Sequence, residues 1–397
     1  MANIVVAIVG ENANGILECQ SQRFLGLMRS MGFEGRLLNV FDPEFGTKLH
    51  RALAEGVLFA WGYAGVGGRL AVNGRNIWDT AEVPFISVLA DAPYIMPGNH
   101  HVDSPYVVNG YIYREWLELQ EAHFRSPQVS TLLPMGVLPN PERQDVPWSK
   151  RERRMLFVKT GSDPARQRAN WDRWPARLRP VLHECADALA SRSPGPIAPV
   201  LESCLAAHSL VLEGTRPMLF GVLHELDTYI RALRATVMAQ ALLPLPVDIV
   251  GDGWDHVRDE PGRARFHPAM PASALDPEYA QTQILVNVTP NFASGAHERV
   301  LRGFAAGCCV VSDNNEYARA HLQRSPAYHG VEWQHPDLPD RLAAAFHDLQ
   351  ADDDALEDAW TYVEQRYDPV VFITRMAELG QLARMKPVFA GYALDAA

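Results

Sequence analysis

The sequence predicts two doubly wound, Rossmann-like α/β domains. At 397 residues the chain is too long for one compact core. Short β-rich runs alternate with helical spacing through both halves, the pattern of a parallel sheet covered on two faces. A proline-rich stretch at 138–150 (LPNPERQDVPWSK) interrupts that alternation and suits a linker. The expected division is an N-terminal domain at 1–140, a linker at 141–154, a second domain at 155–375, and a tail at 376–397 packing back on the first.

Ile4–Val9 is continuously apolar and ends at Gly10, as a central parallel strand should. Phe24, Leu25, Leu27, Met28 and Met31 follow at helical spacing. Residues 36–40, 57–60, 84–89 and 129–133 read as further strands, with helices around 49–54 and 113–124. In the second half, strands are expected at 155–159, 247–250, 264–267, 284–288 and 308–312. Helices fill 164–241 and the stretch from about 337 to 385.

Composition narrows the partners. Net charge is −11 and the isoelectric point about 5.7, a surface that repels phosphate backbones and anionic lipid, so nucleic acid and membrane surfaces are not expected partners. A basic run at 150–154 (KRERR) reads as a solvated linker. Five cysteines, odd in number and without a CxxC pair, predict reduced thiols in a cytoplasmic protein. No stretch of about 18 apolar residues occurs, so no transmembrane helix is expected. The histidines are scattered without HxxxH or HExxH, so no metal site is expected.

The most informative segment is 284–315, ILVNVTPNFASGAHERVLRGFAAGCCVVSDNN. A buried strand enters a polar loop at 289–295 that includes Asn291. A helix follows over about 296–306, with Ser294 as expected N-cap and Gly307 as left-handed C′ residue, before another apolar strand. Gly295, Ala296, His297, Glu298 and Arg299 then fall at the carboxyl edge of the sheet. There a helix N-terminus offers free N–H groups to phosphate. The competing reading is a surface turn, with Glu298 and Arg302 as an i, i+4 ion pair.

The segment resembles the donor-binding signature of GT-B glycosyltransferases, and most closely the CgeB-like, spore-maturation-type group. That signature is a strand ending N-x-x-P-x-F, then G-x-H-E-R-V, then A-x-G before V-V-S-D. Here these are Asn287, Pro290, Phe292, Gly295, His297, Glu298, Arg299, Val300, Ala305, Gly307, Val310, Val311, Ser312 and Asp313. Weaker similarities run through VDIVGDGW at 247–254, RARFHPAMP at 263–271, VPFISVLADAP at 83–93 and LPMGV at 133–137. The resemblance implies two domains facing across a cleft, no prosthetic group or catalytic metal, and a nucleotide-diphosphate sugar as donor. It also implies an acceptor protein or glycan. The glutamate pair that large retaining families carry on this helix is absent, with Arg302 standing at the second position. Ribose binding therefore does not carry over to Glu298.

Other candidates follow from physical role. Lys159, Thr160 and Gly161 form a cation-bearing turn suited to a diphosphate. Gly251 and Gly253 make a tight turn, with Trp254 either stacking on a base or plugging the domain. His267 falls in the base-contacting loop implied by the resemblance. A transferase needs a base for the acceptor hydroxyl, and Asp91, His100, His101 and Glu11 of the first half are the candidates. Asp91 equally suits a turn cap before Pro93. Beside a glycosyltransferase, two readings stay open: a nucleotide-sugar epimerase of the same fold, and a degenerate transferase serving as a scaffold.

Overall fold

The computed structural model describes residues 3–11, 13–123, 128–143, 147–212, 216–349 and 351–392. Phe124, residues 144–146 of the expected linker, and residues 393–397 of the expected tail lie outside the described residues. The chain divides into two units, 1–138 with 367–397, and 139–366.

The first unit holds a six-stranded sheet of β1 Ile4–Val9, β2 Glu34–Asn39, β3 Val57–Tyr63, β4 Phe85–Leu89, β5 Val107–Tyr111 and β6 Val129–Leu132. Their order is β2-β1-β3-β4-β5-β6, every pair parallel. Parallel strands need crossovers that cover both faces, so the central strands are apolar on both sides. Val5, Ala7, Phe59 and Ile86 pack on one face with Phe24 and Met28 of the helix Ile16–Ser30. Ile4, Val6, Ile8 and Phe85 pack on the other with Leu49 and Trp78. The C-terminal helix Pro369–Tyr392 belongs to this unit: Phe372, Ile373 and Met376 enter the first of these cores. Arg384 donates to the carbonyls of Val57 and Leu58 at 3.0 and 2.8 Å.

The second unit repeats the plan with β7 Glu152–Val158, β8 Val247–Val250, β9 Arg265–His267, β10 Thr282–Asn287, β11 Cys309–Asp313 and β12 Tyr328–Val331. The order is β9-β8-β7-β10-β11-β12, again all parallel. Strand order reverses between β7 and β10, as it does between β1 and β3 in the first unit. Ligands of open parallel sheets enter at such reversals, beyond the carboxyl ends.

Two strands were not anticipated. Val107–Tyr111 (VVNGY) and Tyr328–Val331 (YHGV) each carry a glycine and are short, so neither shows a clean apolar run; sheet pairing, not propensity, recruits them. All five cysteines are free. No helix among the described residues is long and apolar enough to cross a membrane.

Candidate functional site

The reversal in the second sheet brings together the turn after β7, which starts at Lys159, and the loop after β10. That loop is built by its neighbours. Thr289 N–H donates to Asp313 Oδ1 at 2.7 Å, and Asn287 Nδ2 donates to Ser312 Oγ at 2.8 Å. Asn315 Nδ2 donates to the carbonyls of Gly295 and Phe292 at 2.8 and 3.2 Å. The polar residues of the motif are thus mainly a frame for the backbone of 288–297, which apart from the exposed Ser294 is buried or half-buried and would otherwise leave main-chain groups unpaired.

The helix here is Glu298–Ala305, two residues shorter at its start than expected, and its N-cap is His297, not Ser294. The His297 Nδ1 accepts from Arg299 N–H at 3.1 Å, which ends the helix there. Gly295 and Ala296 consequently lie buried in the loop rather than in the first turn. Burial, then the neighbouring Arg299, Lys159 and Arg231, holds the His297 ring well below its ordinary proton affinity. With Nδ1 accepting, the neutral ring carries its proton on Nε2. Gly307 does take the left-handed C′ conformation, at φ +70°. Gly303 lets the helix approach the sheet: a Cβ there would meet Leu285 and Val310 at 2.8 Å.

The ion pair proposed for Arg302 forms elsewhere. Its guanidinium binds Asp276 at 3.0 Å and lies over the Tyr279 ring, while Glu298 is exposed.

Positive charge concentrates around the reversal. Arg299 Nη1 donates to Asn287 Oδ1 at 2.7 Å. Burial, followed by Arg231 and then Arg299, pushes the Lys159 ammonium down to about 7. Arg231 and Arg234 come from the long helix Arg216–Leu242, which sequence reading did not connect to the site. Arg234 is fully buried, donates to Thr289 O at 3.3 Å and lies over Trp333. Two buried carboxylates oppose these cations. Asp227 accepts from Asn291 Nδ2 at 2.8 Å and from Arg231 at 3.3 Å. Burial raises Asp313 to about 6, against the pull of Arg234. Three atoms in this cluster lack a hydrogen-bond partner: Arg234 Nε, Asn291 Oδ1 and Asp313 Oδ2. Orphaned polar atoms in a buried site mark places where water or a ligand completes the network. The signal available in sequence was the i, i+4, i+7 spacing of Asp227, Arg231 and Arg234, which reads equally as a solvated helix face.

The glycine turns have a different explanation from a phosphate cradle. Gly161 N–H donates to Asp252 O at 2.8 Å, and a Cβ on Gly161 would meet Trp254 at 2.5 Å. Gly251 and Gly253 sit at φ +142° and +82°, where a Cβ would strike Lys159 O and Gly161 O. The turns after β7 and β8 therefore interlock, and glycine is what close backbone approach demands. Trp254 has no exposed surface and donates to Lys159 O at 2.9 Å. It plugs the strand ends and offers no face to a base. Thr160 is exposed at this turn. His267 is held by Asp248 at 2.8 Å, with Arg154 and Arg265 on the same carboxylate.

In the first unit the histidine candidates separate. His100 is buried, with Nδ1 2.9 Å from the Tyr111 hydroxyl, and burial pushes it down to about 3. Its carbonyl accepts from Asn109 and Gln120 at 2.8 and 2.9 Å. His100 is thus a neutral core residue closed to an acceptor, and not a base. His101 and Glu11 are exposed, and Asp91 is half-buried in the bend after β4.

No protein-family model matches the chain, and no curated protein matches it in sequence. Solved structures are similar in fold. One is AviGT4, a glycosyltransferase involved in avilamycin A biosynthesis (TM-score 0.50, 13% identity, 96% of this chain and 98% of that one). Another is a sucrose-phosphate synthase from Thermosynechococcus elongatus (0.50, 11%, 98% and 100%). A third is an α-glucosyltransferase in complex with UDP-glucose and DNA containing an abasic site (0.50, 8%, 95% and 99%). At such identities the likeness is one of architecture. The chain has the GT-B fold: two Rossmann-like units, each built on a six-stranded parallel sheet.

Proposed function

We propose that this chain is a glycosyltransferase whose second unit takes a nucleotide-diphosphate sugar, with the diphosphate between the Lys159 turn and the His297–Arg299 helix start. One observation carries the reading: the ammonium of Lys159 is held half-buried beside Arg299, at the point where strand order reverses. Like charges brought together out of water are unfavourable, and an anionic ligand relieves them. The same charges would stabilise the nucleotide diphosphate as it leaves. UDP-glucose in one structure of like fold agrees with a donor of this class.

On this reading Asp91 is the base that takes the acceptor proton, with His101 and Glu11 as the remaining alternatives. The acceptor is a hydroxyl on a surface protein or glycan, the transfer is of a hexose, and no metal is required. The likeness of the motif from Asn287 to Asp313 supports placing the chain in the CgeB-like group. Titration calorimetry with UDP, GDP, dTDP and CMP, followed by incubation with the matching NDP-sugars, tests the proposal. Binding with slow donor hydrolysis supports it. Isomerised sugar indicates an epimerase, and a protein that binds none of the four is not a transferase of this kind.

A further inference from the structure

Resting on that donor reading, we propose that Arg231 of the long helix Arg216–Leu242 is itself a diphosphate-binding residue, with Asp227 and Asn291 as the groups that position it. No strand-following turn or phosphate motif includes this helix. Its place in the site comes from tertiary contacts alone.

Asp227 stands one helical turn before Arg231 and is buried. It ties the helix to the loop after β10 by accepting from Asn291 at 2.8 Å. The same carboxylate holds Arg231 at 3.3 Å, longer than a well-formed charged pair. Arg231 lies close enough to Lys159, His297 and Arg299 to oppose a proton on each. Arg234, one turn on, is 1% exposed, but the Arg231 side chain keeps 33% of its surface. Arg231 is therefore the cation of this helix that reaches solvent beside Lys159.

The charge balance and one unpartnered donor point to an anion. Lys159, Arg231, Arg234 and Arg299 face the buried Asp227 and Asp313, with Glu298 near Arg299 only from the exposed side. Four cations against two buried carboxylates leave a surplus of positive charge. The buried Arg234 keeps its Nε–H donor without a partner. A guanidinium 3.3 Å from its carboxylate and one-third exposed can turn to bind two phosphate oxygens at once, leaving Asp227 to Asn291.

The test compares the native chain with Arg231→Gln and Arg231→Lys, using UDP, GDP and dTDP, their monophosphates, and inorganic pyrophosphate as calorimetric probes. Arg231→Gln is expected to weaken diphosphate binding about 10- to 100-fold and monophosphate binding much less, with partial recovery in Arg231→Lys. Equal losses for mono- and diphosphates, or loss only in step with a lowered melting temperature, would make Arg231 structural and overturn the assignment. Unchanged affinity in Arg231→Gln would overturn it too, while leaving the donor site at Lys159 intact. If the native chain binds none of the probes, the donor reading itself falls.

Discussion

The two sheets share one topology but finish their strand-order reversals in opposite ways. In the first unit the space beyond β1 and β3 is filled by the chain itself. A Cβ on Gly62 would lie 2.2 Å from Val66 O, one on Gly67 2.9 Å from Ile8, and one on Gly10 3.3 Å from Val66. Asn99 Nδ2 donates to Ala64 O at 2.8 Å, fastening this glycine-rich loop down. In the second unit the equivalent space is ringed by Lys159, Arg231, Arg234 and Arg299 and retains orphaned polar atoms. One edge is sterically filled by the chain, and the other is electrostatically incomplete. Because burying unpaired charge costs stability, the incomplete edge is where a ligand gains most.

Replacing Lys159 attacks that contrast most directly. Lys159→Met should lower diphosphate affinity about 100-fold by calorimetry while raising resistance to urea, since a crowded cation is gone. Affinity equal to that of the native chain would erase the difference between the units. The pH dependence sharpens the same point. The free ammonium titrates near 7, so native affinity should fall as pH rises from 6.5 to 8.5, with proton uptake on binding detectable in buffers of different ionisation enthalpy. A flat profile would mean that Lys159 stays charged and off the ligand.

The filled edge of the first unit predicts a stability effect without a binding effect. His100 is neutral when folded and charges at an ordinary pH when unfolded. Native stability should therefore be lost as pH falls from about 6.5 toward 3, at up to roughly 1.4 kcal/mol per pH unit from this group. His100→Gln should reduce that slope in thermal melts and leave nucleotide affinity alone. In the second unit, Gly251→Ala forces a Cβ against Lys159 O and should destabilise by about 1–3 kcal/mol in urea unfolding. The smallest effect expected is from Glu298→Ala: exposed at the helix start, it should change nucleotide affinity by less than about threefold. A larger loss would restore Glu298 as a ligand-gripping residue.

Much of the fold could be read from residues in a row. The run at Ile4–Val9 is apolar on both faces and coincides with a strand, because a buried parallel strand needs nothing else. Gly307 likewise sits where a helix must turn left-handed. The helix start was harder, since Ser294 and His297 are both acceptors able to cap. Local propensity ranks the serine first, but the loop pinned by Asn315 places the histidine there. Trp254 shows the same limit, for an aromatic after a glycine turn looks identical whether it faces a base or fills a core.

By itself the sequence determined the strand–helix alternation and the strand-edge segment around His297, because periodicity and turn chemistry are local properties. Only the tertiary structure decided which charges meet there. Asp227, Arg231 and Arg234 lie more than fifty residues from the loop they face, and their proximity follows from the reversal of strand order between β7 and β10. It also decided that His100 is a neutral core group, since burial, not residue type, sets whether a histidine can accept a proton.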